Sequence, residues 1–149
     1  MIKTILLGET EEKFKASAAT SILYKRLFKE DILEILSNYS KKTKEIRELQ
    51  EELSKVKALP DSEEKEAQLA DVTGRLLPLN SFVNDFFTRF AYITWLEANV
   101  SVSEIFKKLT EEEFFSWLLA HESKDFTSIS GELIKLWTEN TKATVKPKN

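Results

Sequence analysis

His121, Ser123 and Asp125 stand close together in "AHESKDF" and supply the residue types of a Ser-His-Asp hydrolase. Such a triad works only when the histidine takes the serine proton while the carboxylate fixes the imidazole from behind. Neighbours at a helix end do not converge in that way, and Ser123 and Asp125 are better explained as helix caps. His121 is the only histidine and the chain has no cysteine, so no thiolate or multi-histidine metal set can be assembled. The densest acids, Glu111, Glu112 and Glu113, fall where a helix begins, and the macrodipole favours carboxylates there. Gly8, Gly74 and Gly131 are isolated, so no glycine-rich phosphate loop exists. The expectation is a protein that is not an enzyme, with no catalytic residue, no metal ligand and no cofactor.

Aromatic side chains are the stronger signal: 10 Phe, 3 Tyr and 3 Trp. Trp95, Trp117 and Trp137 each fall in a separate helical segment, at or near its apolar face, which reads as core packing. Tyr, Trp and Arg also dominate binding energies at interfaces. Tyr24, Arg26, Tyr92 and Trp137 are placed by this reading at exposed edges, and a groove beside Tyr24, Leu27 and Phe28 completes a candidate partner-binding set.

The elements that must position these residues follow from periodicity. Residues 2–7 and 13–18 read as a short β-hairpin turning through Gly8-Glu9-Thr10-Glu11, with Phe14, Ala16 and Ala18 alternating against polar neighbours. Thr20 is placed as the N-cap of a first helix, and Asp31 as the cap of a second through Tyr39. From residue 41 the chain turns to Lys and Glu. Ile46, Leu49, Leu53 and Val56 form a narrow coiled-coil-like seam, and an Asp61/Glu64 capping box opens a return helix carrying Leu69, Val72 and Leu76. This 41–77 segment is expected to be a charged helical hairpin, a protruding arm available for self-association, closed by Pro78 to Ser81.

The most apolar helix is expected to begin at Ser81, with Phe86, Phe87, Phe90, Ile93 and Leu96 covering a wide stripe and an Arg89/Asp85 pair on its remaining face. A short helix over 103–109, a helix capped by Thr110 with Glu113, and a last helix carrying Ile129, Leu133, Leu136 and Trp137 complete the set. The fold class expected is mainly α: an N-terminal β-hairpin followed by a multi-helix bundle. Residues 1–140 form one helical domain with an apolar core over 81–140, and 141–149 form a flexible basic tail.

With 22 basic and 25 acidic residues the formal net charge is −3, and the two signs are interleaved. That balance argues against nucleic acid as a partner. No apolar run reaches the roughly 18 residues of a membrane span, and the N-terminal apolar stretch is too short for a signal peptide. No membrane association and a cytoplasmic location are expected.

The order of these signals resembles the tail assembly chaperones of long-tailed, siphovirus-type phages and prophages of Gram-positive bacteria. "FKASAATSILYKRLFKEDILEIL" is similar to that family's opening: an apolar strand, an Ala-Thr-rich step, a Tyr-Arg-x-x-Phe cluster and Asp-Ile. "FFTRFAYITWLEAN" and "LIKLWTENTKATVKPKN" resemble its central and closing segments. At position 29 the resemblance leads one to expect a glycine where this chain has Lys29. It implies a protein that binds and solubilises the tape measure protein and helps recruit tail tube protein, through a frameshift-extended form that would begin at the C-terminal tail. It also implies weak homo-oligomerisation, a place in the cytoplasm of the bacterial host and absence from the mature virion. The alternative from the residues alone is a helical adaptor or regulator that dimerises through the 41–77 hairpin.

Overall fold

The computed structural model describes residues 2–144. Among them, six α-helices and a short 3₁₀ turn accompany one two-stranded antiparallel sheet, a mainly α fold with an N-terminal β-hairpin. The chain divides into two compact units, one made of residues 1–33 and 86–149 and the other of residues 34–85.

In the first unit, β1 (Ile2–Leu7) pairs with β2 (Thr10–Lys15), with Leu7 opposite Thr10 and Ile2 opposite Lys15. The second strand therefore starts and ends three residues earlier than the alternation suggests, and Ala18 is exposed. The reason is Gly8, whose φ of +66° lets Gly8-Glu9 alone reverse the chain in the manner of a two-residue hairpin. A Cβ at this position would also lie 3.1 Å from Asp125 Oδ2, so the turn and the start of the last helix approach closely.

α1 (Thr20–Phe28) begins at Thr20, but the threonine does not cap it. Its hydroxyl accepts from the Ser17 amide at 2.9 Å, and the Thr20 amide returns a bond to Ser17 C=O at 3.1 Å, closing a tight turn over Ser17–Thr20. α1 ends on Lys29 in the left-handed region, φ 61°. Asp31 does cap the next helix: its carboxylate accepts from the Leu33 amide at 2.9 Å.

α2 (Ile32–Lys57) is one continuous helix instead of two. Between these ends there is no glycine or proline to interrupt it, and the apolar steps on either side of Tyr39 can share one helical course. α3 (Glu63–Asn99) is likewise unbroken, with Pro78 inside it. A proline removes one helical hydrogen bond and kinks a helix, and here the long flanking turns outweigh that loss. Its N-terminus is fastened by Ser62, whose Oγ accepts from the Lys65 amide at 3.1 Å, while Asp61 pairs with the Lys65 ammonium at 3.2 Å. The expected Asp61/Glu64 box is therefore replaced by a serine cap one residue on.

The later helices depart less from expectation. α4 (Val102–Ile105) passes into a 3₁₀ turn at Phe106–Lys108, so the single helix expected over 103–109 is split. α5 (Glu111–Leu118) is capped by Thr110, which accepts from the Glu113 amide at 3.2 Å. α6 (Ser123–Thr144) runs through Gly131 and takes in residues 141–144 of the expected tail; the flexible tail expected over 145–149 lies outside the described residues.

The core of this first unit centres on the 86–99 portion of α3. Phe86, Phe87, Phe90, Ile93 and Leu96 are buried, together with Leu7, Phe14, Phe126, Leu133 and Leu136 from the hairpin and α6. Burying each such side chain contributes roughly 1.5–3 kcal/mol. Trp95 Nε1 donates to Glu12 at 3.1 Å and Asn99 Nδ2 donates to Lys13 C=O at 2.8 Å, seating β2 on one edge of α3. Lys3 pairs with Glu132 at 2.6 Å, tying β1 to α6. Arg89 pairs with Glu30.

In the second unit Ile35, Val56, Val72, Leu76 and Leu79 are buried. Arg75 joins Glu52 of α2 and Asp71 of its own helix, each at 2.9 Å, and the Lys42 ammonium sits 5.8 Å from the Phe82 ring centre.

Candidate partner-binding surface

Of the residues expected at exposed edges, Tyr24 and Tyr92 are buried. Tyr24 packs against Phe28 and Phe86, with ring centres 5.0 and 6.2 Å apart. Tyr92 lies against Phe114 and Trp117, each at 5.3 Å, and its hydroxyl donates to Lys108 C=O at 2.6 Å. Burial pushes the Tyr92 phenol up to about 12, with the Glu113 charge adding to the effect. Both tyrosines are thus core pieces: the four-residue step that places Tyr24 beside Phe28 on α1 also turns it inward.

Arg26 is exposed, Leu27 and Phe28 are half-buried, and Trp137 is half-buried with its ring edge-on to Phe90 at 6.0 Å. Arg26 stacks its guanidinium over Phe106, 4.6 Å from the ring centre, so α1 and the 3₁₀ turn adjoin. Phe28 meets Phe114 at 4.9 Å, and Lys108 pairs with Glu113 at 3.3 Å, which brings the start of α5 to the same region. Phe28 also carries Arg89 over its face at 5.3 Å.

These elements leave large apolar side chains exposed. Ile22 on α1 is 66% exposed, Phe106 53%, Phe115 56% and Leu119 88%. A signal for two of them was present in the sequence. A helix that turns Phe114, Trp117 and Leu118 inward, the first buried and the other two half-buried, points Phe115 and Leu119, four residues apart, toward another side. Phe106 had no such signal, because the 3₁₀ turn rotates it away from the face an α-helix would give it.

The seam expected for self-association is partly covered. Val56 is buried and Ile46, Leu49 and Leu53 are half-buried. Where Gly74 and Pro78 offer no long side chain, a cleft of about 620 Å³ opens, lined also by Leu49, Leu79 and the charged Lys42, Glu45, Glu48, Glu52 and Arg75.

The triad residues do not assemble. The His121 ring packs on Trp117 at 5.0 Å and Phe126 at 5.7 Å, while Asp125 accepts from the Glu122 amide at 3.0 Å. They border a shallow cleft of about 320 Å³ beside the Gly8 turn, which Ser123 does not line. Glu111, Glu112 and Glu113 occupy the first turn of α5. Among the described residues no group of three or more His, Asp or Glu side chains is placed to hold a metal ion, and no helix is long and apolar enough to cross a membrane.

One polar site escaped the sequence reading. The Glu97 carboxylate on α3 accepts from Ser17 Oγ on one oxygen and from Thr20 Oγ1 on the other, the latter at 2.6 Å. Burial raises the Glu97 carboxyl above its usual range, against the lowering influence of the two hydroxyl donors and of the Lys15 charge. The site clamps the Ser17–Thr20 turn to α3, a structural task.

Comparison with protein-family models, with curated proteins and with solved structures found no match to this chain.

Proposed function

We propose that this chain is a phage tail assembly chaperone, a non-enzymatic protein that binds and solubilises the tape measure protein and helps recruit tail tube subunits. The observation that carries the reading is the set of large apolar side chains left in solvent around α1, the 3₁₀ turn and α5: Ile22, Phe106, Phe115 and Leu119. Exposed apolar groups collected in one region mark protein-binding surfaces, and an amphipathic helix is the kind of target that such a face accepts through its own three- and four-residue spacing. The similarity of "FKASAATSILYKRLFKEDILEIL" to the opening of the chaperone family supplies the identity of that helix. Arg26 stacked on Phe106 adds an interface residue of the kind that often dominates binding energy.

Co-expression with the tape measure protein of the same phage or prophage tests the proposal. The expected result is co-purification and a gain in tape measure solubility, both reduced by Ile22→Asp combined with Phe106→Asp. A tape measure protein that neither co-purifies with the wild-type chain nor becomes more soluble would refute it.

A further inference from the structure

The cleft between α2 and α3 in the 34–85 unit has an apolar floor and an acidic rim. It opens because Gly74 and Pro78, four residues apart on one face of α3, put no long side chain opposite Leu49 of α2. A Cβ at Gly74 would meet nothing within 4 Å, so open space begins at the helix backbone itself. Leu79 is buried and Leu49 half-buried at the floor. On the rim, Arg75 is held by Glu52 and Asp71, and the Lys42 ammonium lies over the Phe82 ring. Glu45 and Glu48 also line the cleft, are exposed, and among the described residues take no part in an ion pair. Two cations therefore stand against four carboxylates. Lys41, Lys44 and Arg47, the other cations of this part of α2, do not line the cleft.

We infer that this cleft receives a basic amphipathic helix of another protein, with a large apolar side chain of that helix seated over Leu49 and Leu79 and its Lys or Arg side chains set against Glu45 and Glu48. A helix suits the length of the cleft: Lys42 and Glu52 are ten residues apart on α2, about 15 Å at the helical rise. Glu45, Glu48 and Glu52 step along α2 by three and four, so a helix lying alongside can oppose them with one cation per turn. Two helices cover the seam between them from two sides only, and a third laid in the groove closes the side on which Leu49 stays half-buried. The opposed charges then select the partner and fix its orientation. All of these residues belong to the 34–85 unit, whereas the tape measure reading rests on Ile22, Phe106, Phe115 and Leu119 of the other unit, so either can fail alone.

The test is fluorescence anisotropy of a labelled synthetic helix of about 20 residues, built of Ala with Lys at every fourth position and Leu beside them on the same face, titrated with the full chain. A twin peptide with Glu in place of every Lys is the control. The Lys peptide is expected to bind and the Glu peptide is not. Glu45→Lys with Glu48→Lys, at two exposed positions, should weaken binding of the Lys peptide at least about tenfold. Gly74→Leu fills the cleft without altering charge, and leucine is the better helix former, so this variant should raise Tm while weakening binding at least about tenfold. Sedimentation velocity on the same samples reads the competing occupant: a wild-type dimer that Gly74→Leu converts to monomer would assign the cleft to a second copy and overturn the inference. A wild type that does not bind the Lys peptide, equal binding of the two peptides, or binding that either variant leaves unchanged would overturn it as well.

Discussion

Glu97 is the place where the structure makes its sharpest demand on pH. Its carboxylate is removed from water and holds Ser17 Oγ and Thr20 Oγ1, and burial raises its pKa above the ordinary 4.5. A folded-state pKa above the unfolded one means that the folded chain keeps this proton more tightly. The stability this group contributes is therefore fully present below the unfolded pKa, and it declines as pH rises through the folded value. Glu97→Gln removes the titration and keeps an oxygen with two lone pairs for the hydroxyls. Glu97→Ala leaves both donors without an acceptor. Hydrogen bonds to a charged group contribute about 1.5–3 kcal/mol each, and the desolvation of the carboxylate cancels much of that, so a net loss of about 1–2 kcal/mol is expected for Glu97→Ala. For a domain of this size that corresponds to a fall in Tm of roughly 2–8 °C. Urea unfolding of wild type and Glu97→Gln across mildly acidic to neutral pH gives the decisive comparison. The wild type should lose stability relative to Glu97→Gln as pH rises. A wild type that gains on Glu97→Gln over that range, or a Glu97→Ala variant as stable as wild type, would refute the reasoning.

Three further outcomes are expected. Tyr92→Phe deletes the bond to Lys108 C=O and should cost about 1 kcal/mol in chemical denaturation; it should also remove a tyrosine that ionises near 12 from a spectrophotometric titration. Gly8→Ala forces a side chain into a φ of +66° and toward Asp125, and a loss of roughly 1–2 kcal/mol is expected by thermal melting. Lys29→Gly relieves a non-glycine residue at φ 61°, so a gain of about 0.5–1 kcal/mol is expected in the same assay, and a loss would show that the lysine side chain contributes more than its backbone strain costs.

The residues that determined their own local structure are those whose partners lie a few positions away. Asp31 caps α2 and Thr110 caps α5 because a short side chain reaches an amide two or three residues on, and that distance is fixed by the backbone. The inward stripe of Phe86, Phe90, Ile93 and Leu96 was legible because helical period and burial coincide when a helix is covered on most sides. The segments at Ser40 and Pro78 carry local break signals, yet α2 and α3 run through them, because such signals have little weight inside helices of this length. Composition, charge and the α-helical stripe pattern were thus settled by the sequence itself, as was the absence of cysteine chemistry.

Tertiary structure decided the rest. Tyr24 and Tyr92 looked like edge residues because a tyrosine suits either a core or an interface; only their neighbours, Phe86 for one and Lys108 C=O for the other, place them inside. Thr20 had every mark of a cap, and its hydroxyl went instead to Glu97, a partner far along the chain that no local pattern can anticipate. The exposed Ile22, Phe106, Phe115 and Leu119 are likewise a tertiary outcome. A sequence fixes which residues share a helical face, whereas which of those faces is covered depends on where the other helices lie.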